Sequence, residues 1–159
     1  MKHRAFGGAS LLALSIGCLV VSAAFGQEKS DPVLDLLDGK VKQFLEAVSM
    51  AEPQSAYQTL LAGSPLAKQT EAVRTLVEKT QNLKARYGAY RSFERIAAKR
   101  VGSDLVLMKY LYKCEQFPVV WYFTFYRTPQ RVEGASETGG AWRVVIVRFD
   151  TDLERLAEK

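Results

Sequence analysis

Residues 119–126 constrain the fold of this chain more than any other segment. They are eight consecutive β-branched or aromatic residues, with Pro118 before them and Thr128-Pro129 after them. Such a run predicts a central β-strand with apolar neighbours on both of its faces. The second half of the chain is therefore expected to form a sheet in which this strand lies between others.

The first 26 residues have the pattern of a secretory signal peptide. A basic start at residues 2–4 precedes an apolar stretch over residues 11–24, and Ala24 and Gly26 are small residues at the −3 and −1 positions of a cleavage site before Gln27. This order predicts export to the periplasm or the outside of the cell, so that only this segment contacts a membrane, before cleavage. Two alternatives stay open: an uncleaved segment that anchors the protein in the envelope, and lipidation at Cys18.

Cleavage would leave residues 27–159, which suffice for a single domain with one hydrophobic core. The whole chain has a formal net charge of +5, and part of this excess belongs to the signal peptide. The other basic residues alternate with acidic ones, as at Glu71/Arg74 and Glu78/Lys79. Because no basic stripe with interleaved aromatic residues is present, the sequence argues against nucleic-acid binding.

Histidine and cysteine are scarce, and their scarcity excludes several kinds of site. The only histidine, His3, belongs to the signal peptide, and Cys114 is the only cysteine after residue 26. The exported domain therefore has no internal disulfide, no zinc cluster and no Ser-His-Asp or Cys-His arrangement. We predict no metal and no cofactor, and we interpret Cys114 as a half-buried structural thiol or, alternatively, as a partner in an intermolecular disulfide.

Three helices are predicted before the sheet. The first covers residues 32–50, with Asp31 as its N-cap, and the second covers residues 54–61. The third covers residues 66–87 and ends at Gly88. Their inward-facing residues are predicted to be Val33, Leu34, Leu36, Leu37, Val41, Phe44, Leu45, Val48, Ala56, Tyr57, Leu60, Leu61, Ala72, Val73, Leu76, Val77, Leu83 and Tyr87.

From residue 89 the hydrophobic period changes from about 3.6 to about 2, which indicates strands. The predicted strands cover residues 89–99, 105–114, 119–126 and 142–149. A long polar loop separates the last two, and a short C-terminal helix is expected after Asp150. Helices followed by an antiparallel meander define an α+β fold, with N-terminal helices packed on one face of a curved four-stranded sheet.

The second and third strands can be paired because only one register keeps lysine off an aromatic face. An even-numbered loop places Tyr110 beside Trp121, whereas an odd-numbered loop would bury Lys109 and Lys113. The predicted helix-facing residues are Val106, Met108, Tyr110, Tyr112, Val119, Trp121, Phe123 and Phe125. A buried tyrosine among them needs a hydrogen-bond partner.

Part of this inner face is predicted to line a ligand cavity, with plain core packing as the alternative. The candidate cavity residues are Tyr57, Tyr90, Met108, Tyr110, Trp121 and Phe123. The outer face is too apolar to lie against water, since it carries the residues Leu107, Leu111, Tyr122 and Tyr126. We therefore predict a homodimer interface through the outer face of the sheet.

Several segments together resemble the nuclear transport factor 2-like superfamily, which has a cystatin-like α+β roll. They are Tyr87-Gly88-Ala89-Tyr90, Val101-Gly102, residues 121–126, Gly140-Ala141-Trp142-Arg143-Val144 and Phe149-Asp150. The resemblance covers most of residues 31–157 and is greatest to small exported bacterial members of unknown function. It implies a cone-shaped cavity between a bent sheet and the helices, and frequent dimerisation through the sheet.

The resemblance leaves three classes of function. The leading expectation is a non-enzymatic domain that binds a small apolar ligand or a partner protein. The alternatives are an isomerase- or cyclase-type enzyme that moves a proton on a hydrophobic carbonyl compound, and a structural dimer of the envelope. Isomerase-type members use an acidic residue with a tyrosine. The available counterparts here are Glu94, Asp150, Tyr57, Tyr90 and Tyr110, and since none lies in a catalytic motif, no catalytic residue is assigned.

Residues 130–134 match the Gln-x-Val-x-Gly hairpin motif with which cystatins wedge into papain-like proteases. The match falls in the last hairpin instead of the first, and three predicted helices precede the sheet. Three fixed positions also recur by chance in chains of this length. We interpret the segment as a solvated hairpin tip.

Overall fold

The computed structural model describes residues 31–128 and 140–156. The predicted signal peptide, Cys18 and the cystatin-like motif at residues 130–134 lie outside these ranges. Within them, no helix combines the length and the apolar character needed to cross a membrane.

The first helix begins where the sequence predicts, and the second begins one residue earlier than predicted. α1 spans Pro32–Ser49, and the side chain of Asp31 caps it by accepting a hydrogen bond from the backbone N–H of Val33 at 2.9 Å. α2 spans Pro53–Leu60. Each helix has proline in its first turn. Proline is tolerated there because a backbone N–H at that position would have no partner within the helix.

The prediction of one continuous helix over residues 66–87 is wrong. The segment forms a 3-10 turn, then α3, then α4, at Pro65–Lys68, Thr70–Gln81 and Leu83–Tyr87. The break falls at Asn82, whose side-chain amide donates to the carbonyl of Glu78 at 2.9 Å. The backbone N–H of Asn82 shares that carbonyl at 3.3 Å, and the ψ of Asn82 is −1°, away from the helical value near −42°, so the regular helix is interrupted there. Gly88 then ends α4 with a φ of 89°, which glycine adopts without strain.

Two of the predicted inward-facing residues are wrong. Leu36 is 56% exposed, and Ala72 is also exposed. Each comes one residue before a member of its helix's apolar stripe, Leu37 or Val73, so its side chain points about 100° away from that neighbour. The rest of the predicted set is buried or half-buried.

The strands form one antiparallel sheet in the order β1-β2-β3-β4. They span Tyr90–Val101, Leu105–Cys114, Val119–Arg127 and Trp142–Asp150. The predicted α+β fold, with helices on one side of a four-stranded meander, is confirmed. Where the sequence predicts a short C-terminal helix after Asp150, the described residues form a short 3-10 helix at Glu154–Leu156.

The predicted register between β2 and β3 is confirmed. Tyr110 pairs with Trp121, and Met108 pairs with Phe123 two residues further along. Irregularities in the β1–β2 and β3–β4 pairings interrupt the ladder on both sides of this central pair. Such irregularities bend a sheet, which lets its inner face curve around the helices.

Phe44 of α1 joins the helices to the sheet. Its ring makes edge-to-face contacts with Tyr57, Trp121 and Phe123, at centroid distances of 5.0, 5.3 and 5.6 Å. This is the preferred geometry for aromatic pairs. The core therefore lies between α1, α2 and the middle of the sheet.

Candidate functional site

A groove of about 400 Å³ opens between α1, α2 and the start of β4. We call it the helix–strand groove. Its volume falls in the range of small-molecule sites, roughly 300–1,000 Å³. Its apolar lining residues are Phe44, Ala47, Ala56, Leu60, Ala62, Phe125 and Trp142, and its polar ones are Lys40, Gln43, Glu52, Ser55, Thr59 and Arg143.

The helical walls of the groove follow from helical spacing. Lys40, Phe44 and Ala47 lie four and three residues apart, which places them on one side of α1. On α2, Ala56 and Leu60 repeat the same spacing. Alanine contributes only one methyl group, so the positions that face the groove on both helices leave space between the helices and β4.

The floor of the groove is continuous with the core. Phe44 is 2% exposed and Phe125 is 1% exposed, so only small parts of their rings are open to the groove. Trp142 forms the wall on the β4 side and is half-buried. A molecule in the groove would therefore contact aromatic surface on two sides.

Two arginines hold the ring of Trp142. The guanidinium carbons of Arg100 and Arg127 lie 6.0 and 5.8 Å from the ring centroid, within cation–π distance. Asp31 binds Arg100 at 2.9 Å, and Asp104 binds Arg127 at 2.6 Å. The hydrogen bond from Arg100 holds the pKa of Asp31 below its usual range. These contacts restrain the ring in its position beside the groove.

The loop after α2 lies against β4 next to the groove. The hydroxyl of Ser64 donates to the carbonyl of Val144 and accepts a hydrogen bond from the N–H of Leu66 at 3.0 Å. Gly63 has a φ of 71°, and a Cβ atom there would lie 3.9 Å from Nε of Arg143. The loop therefore packs beside the Arg143 side chain at the rim.

The rim of the groove carries three charged side chains, Lys40, Glu52 and Arg143. No ion pair within 4.0 Å joins any of them to another residue in the described ranges. Lys40 and Glu52 are exposed, whereas Arg143 is half-buried. These three rim residues thus carry one more positive charge than negative charge.

A second polar cluster surrounds Asp38 of α1, which is 8% exposed and does not line the groove. Its carboxylate accepts a hydrogen bond from the Tyr110 hydroxyl at 2.5 Å. It also pairs with Arg95 of β1 at 3.0 Å and with Lys42 of α1 at 2.7 Å. Asp38 is therefore the hydrogen-bond partner that the buried Tyr110 requires, and it ties α1 to the sheet.

The protonation states of Asp38 and Tyr110 are fixed near neutral pH. Burial alone would raise the pKa of Asp38, but hydrogen bonds from Lys42 and Tyr110 and the charge of Arg95 hold it below its usual range. Burial and the hydrogen bond to Asp38 raise the pKa of Tyr110 well above its usual range. Neither group exchanges a proton readily at pH 7, as a general acid or base must.

The candidate cavity residues from the sequence do not line the helix–strand groove. Four of them are at most 1% exposed: Met108, Tyr110, Trp121 and Phe123. Phe123 contacts both Tyr110 and Trp121, with ring centroids 6.0 Å apart in each pair. Nε1 of Trp121 has no hydrogen-bond partner among the described residues. The structure brings these four together in the interior.

The other two candidates lie apart from that group. Tyr57 is fully buried, and its hydroxyl lies 3.1 Å from Oγ1 of Thr80. Tyr90, at the start of the edge strand β1, is 37% exposed and packs on Tyr112 with a centroid distance of 4.8 Å. The six candidates therefore do not form a single cluster.

Sequence reasoning missed the groove and Asp38. The Gly140-Ala141-Trp142 segment marks the start of the last strand, where Trp142 lines the groove. The segment does not show which helices lie opposite this tryptophan, so the groove could not be located from it. Asp38 borders the apolar stripe of α1, where polar residues usually face water. The signal for it was the unmet hydrogen bond of Tyr110.

The outer face of the sheet exposes apolar side chains. Leu107, Tyr126 and Ile146 are 38%, 41% and 49% exposed, and both Leu107 and Ile146 pair with Thr124 of β3. A shallow depression of about 550 Å³ lies on this face. Leu111, also predicted here, is half-buried.

Tyr122 lies on the same outer face but is only 9% exposed. The side chains of Lys109 and Arg148 lie over its ring, at 5.7 and 4.2 Å from the centroid. Its aromatic surface is thus largely covered by cationic side chains from the neighbouring strands.

The remaining acidic and thiol candidates have ordinary surroundings. Glu94 pairs with Lys113 at 2.9 Å, and Asp150 pairs with Arg148 at 3.6 Å. Cys114 is a free thiol that is 8% exposed, and burial raises its pKa. Over residues 31–128 and 140–156, no three cysteine, histidine or acidic side chains come together as a metal site would require.

No protein-family model, curated protein or solved structure matches this chain. The resemblance to the nuclear transport factor 2-like superfamily therefore stays a prediction.

Proposed function

We propose that this protein is an exported, non-enzymatic domain that binds a small, mainly apolar ligand in the helix–strand groove. The observation that carries the proposal is the groove itself, about 400 Å³ in volume, between an aromatic floor and the restrained ring of Trp142. Polar side chains surround this apolar surface, as in sites where a few polar groups orient a ligand.

The energetic basis of binding is apolar contact, mainly with the ring of Trp142. A ligand that covers the exposed parts of Trp142, Ala47 and Leu60 removes apolar surface from water, which stabilises the complex. Phe44 and Phe125 are almost fully buried and add little area. A planar ligand against Trp142 gains roughly a further 0.5–1.5 kcal/mol from ring stacking. Because Arg100 and Arg127 already restrain that ring, little side-chain freedom is lost on binding.

The enzyme alternative has weaker support. A carboxylate does lie within hydrogen-bond reach of a tyrosine, at Asp38 and Tyr110. However, Arg95 and Lys42 neutralise this carboxylate, and none of the four residues lines the groove. The cluster therefore supports a structural role better than proton transfer.

A titration with the neutral fluorescent probe N-phenyl-1-naphthylamine tests the proposed function. We expect the purified protein to bind the probe, and the Ala47→Trp variant, which fills the groove from α1, to bind it about tenfold more weakly or worse. The Ala85→Trp variant adds the same side chain at an exposed position of α4 and should bind like the wild type. Equal affinity of all three proteins, or no binding to folded wild type, would reject the proposal.

A second proposal concerns the outer face, where homodimerisation through the sheet would cover Leu107, Tyr126 and Ile146. Their exposure on one face is the observation that favours it. Sedimentation velocity tests this: we expect a dimer, and a monomer at every accessible concentration would contradict it.

A further inference from the structure

Arg143 differs from three other arginines of the structure. Arg95, Arg100 and Arg127 each bind a carboxylate, at distances from 2.6 to 3.0 Å. Arg143 is half-buried, yet none of the described residues forms an ion pair with it. Among those residues, no carboxylate therefore engages the Arg143 guanidinium, a group that binds carboxylates through charge-assisted hydrogen bonds.

The other charged groups of the groove do not neutralise Arg143. Lys40 adds a second positive charge at the rim, and Glu52 is the only acidic residue among the described residues of the lining. Glu52 lies farther than 4.0 Å from the cationic nitrogens of both, since neither pair forms an ion pair. Two cations and one anion give the described lining residues a net positive charge above an aromatic floor.

We propose that the ligand of the helix–strand groove is an apolar molecule that carries a carboxylate, and that Arg143 binds the carboxylate. This inference rests on the proposed function, because it names the chemistry of the ligand in the same groove. The apolar body contacts the floor at Phe44 and Phe125 and the wall at Trp142. The planar guanidinium suits a carboxylate because it can donate two parallel hydrogen bonds.

Lys40 has a supporting part in this arrangement. Its ammonium is exposed on a flexible side chain of α1, across the groove from β4. It attracts an anion toward the rim without fixing its orientation. Orientation therefore depends on Arg143, whose side chain packs beside the loop at Gly63.

Displacement of N-phenyl-1-naphthylamine by two isosteric competitors tests this inference. 1-Naphthoate carries the carboxylate, and 1-naphthamide presents the same ring system without the charge. We expect wild type to prefer naphthoate by about tenfold. The Arg143→Gln variant should weaken naphthoate about tenfold and leave naphthamide unchanged, which abolishes the preference.

The matched control is Arg91→Gln, which makes the same charge change at an exposed position of β1 outside the groove. It should keep the wild-type preference. Equal displacement by the two competitors in wild type, or an equal loss of both in Arg143→Gln, would overturn the inference. In those cases binding of the neutral probe still supports the proposed function, whereas failure of wild type to bind the probe removes both.

Discussion

The core and the helix–strand groove use similar side chains but pack them differently. In the core, Phe44 meets Trp121 and Phe123 edge to face, and the rings fill the space between helix and sheet. In the groove, alanines at positions 47 and 56 lie where larger side chains would close the same gap. The size of the helical side chains, and not the aromatic content of the sheet, therefore decides where the space lies.

Phe44 belongs to both regions. Its ring contacts the buried rings of the core, and part of it forms the floor of the groove. A ligand in the groove would thus rest on a surface that the core already holds in place. This arrangement gives a preformed site at one end of a closely packed interior.

The largest expected effect contrasts one ring from each region. Phe123→Ala should lower the free energy of unfolding by about 4 kcal/mol, because the ring is 1% exposed and its removal leaves a cavity. Trp142→Ala should lower it by only about 1 kcal/mol, because that ring is half-buried at the surface. Urea unfolding measures both values. Equal losses would mean that Trp142 belongs to the core, and the distinction between the regions would fail.

A smaller effect is expected where α1 is tied to the sheet. Asp38→Asn should lower the free energy of unfolding at pH 7 by about 2 kcal/mol, since it removes a charge that accepts hydrogen bonds from Tyr110 and Arg95. It should leave binding of the neutral probe unchanged, because Asp38 lies outside the groove. A large loss of probe binding in a folded variant would show that the two regions are not separate.

The same variant has a defined pH dependence. The folded-state pKa of Asp38 is lowered, so its contribution is complete above the ordinary value of about 3.9 and disappears as the pH falls through the lower folded value. The difference between wild type and Asp38→Asn should therefore shrink in acid. Asp31 and Asp104 also have lowered pKa values and make the stability of both proteins depend on pH. Because both proteins contain these two residues, their contribution cancels in the difference between wild type and Asp38→Asn. A difference that stays constant from pH 7 into strong acid would contradict this assignment.

The sheet was predictable because its signal is local. Alternation along β2 separates Lys109 and Lys113 from Met108 and Tyr110, and only one pairing with β3 keeps that separation. The break at Asn82 was not predictable from periodicity, since the apolar spacing continues from Val77 to Leu83 across it.

The groove and the Asp38 cluster could not be predicted for a different reason. Both depend on where separate elements meet in space: α1, α2 and β4 for the groove, and α1, β1 and β2 for Asp38. From the aromatic residues of the sheet, the sequence analysis predicted a cavity in the interior. Whether the space beside those residues is filled depends on the volumes of the helical side chains that face them. A pattern along one strand contains no information about those volumes.

The chain has two tryptophans, one in each of the two regions compared above. Trp121 is fully buried in the core, whereas Trp142 lines the groove. Their two indole N–H signals can be followed by ¹⁵N NMR during a titration with N-phenyl-1-naphthylamine, with Trp142→Phe to assign them. Binding in the groove predicts that the Trp142 signal shifts progressively while the Trp121 signal stays in place. A shift of Trp121 alone would place the ligand in the interior and contradict the assignment of the groove as the binding site.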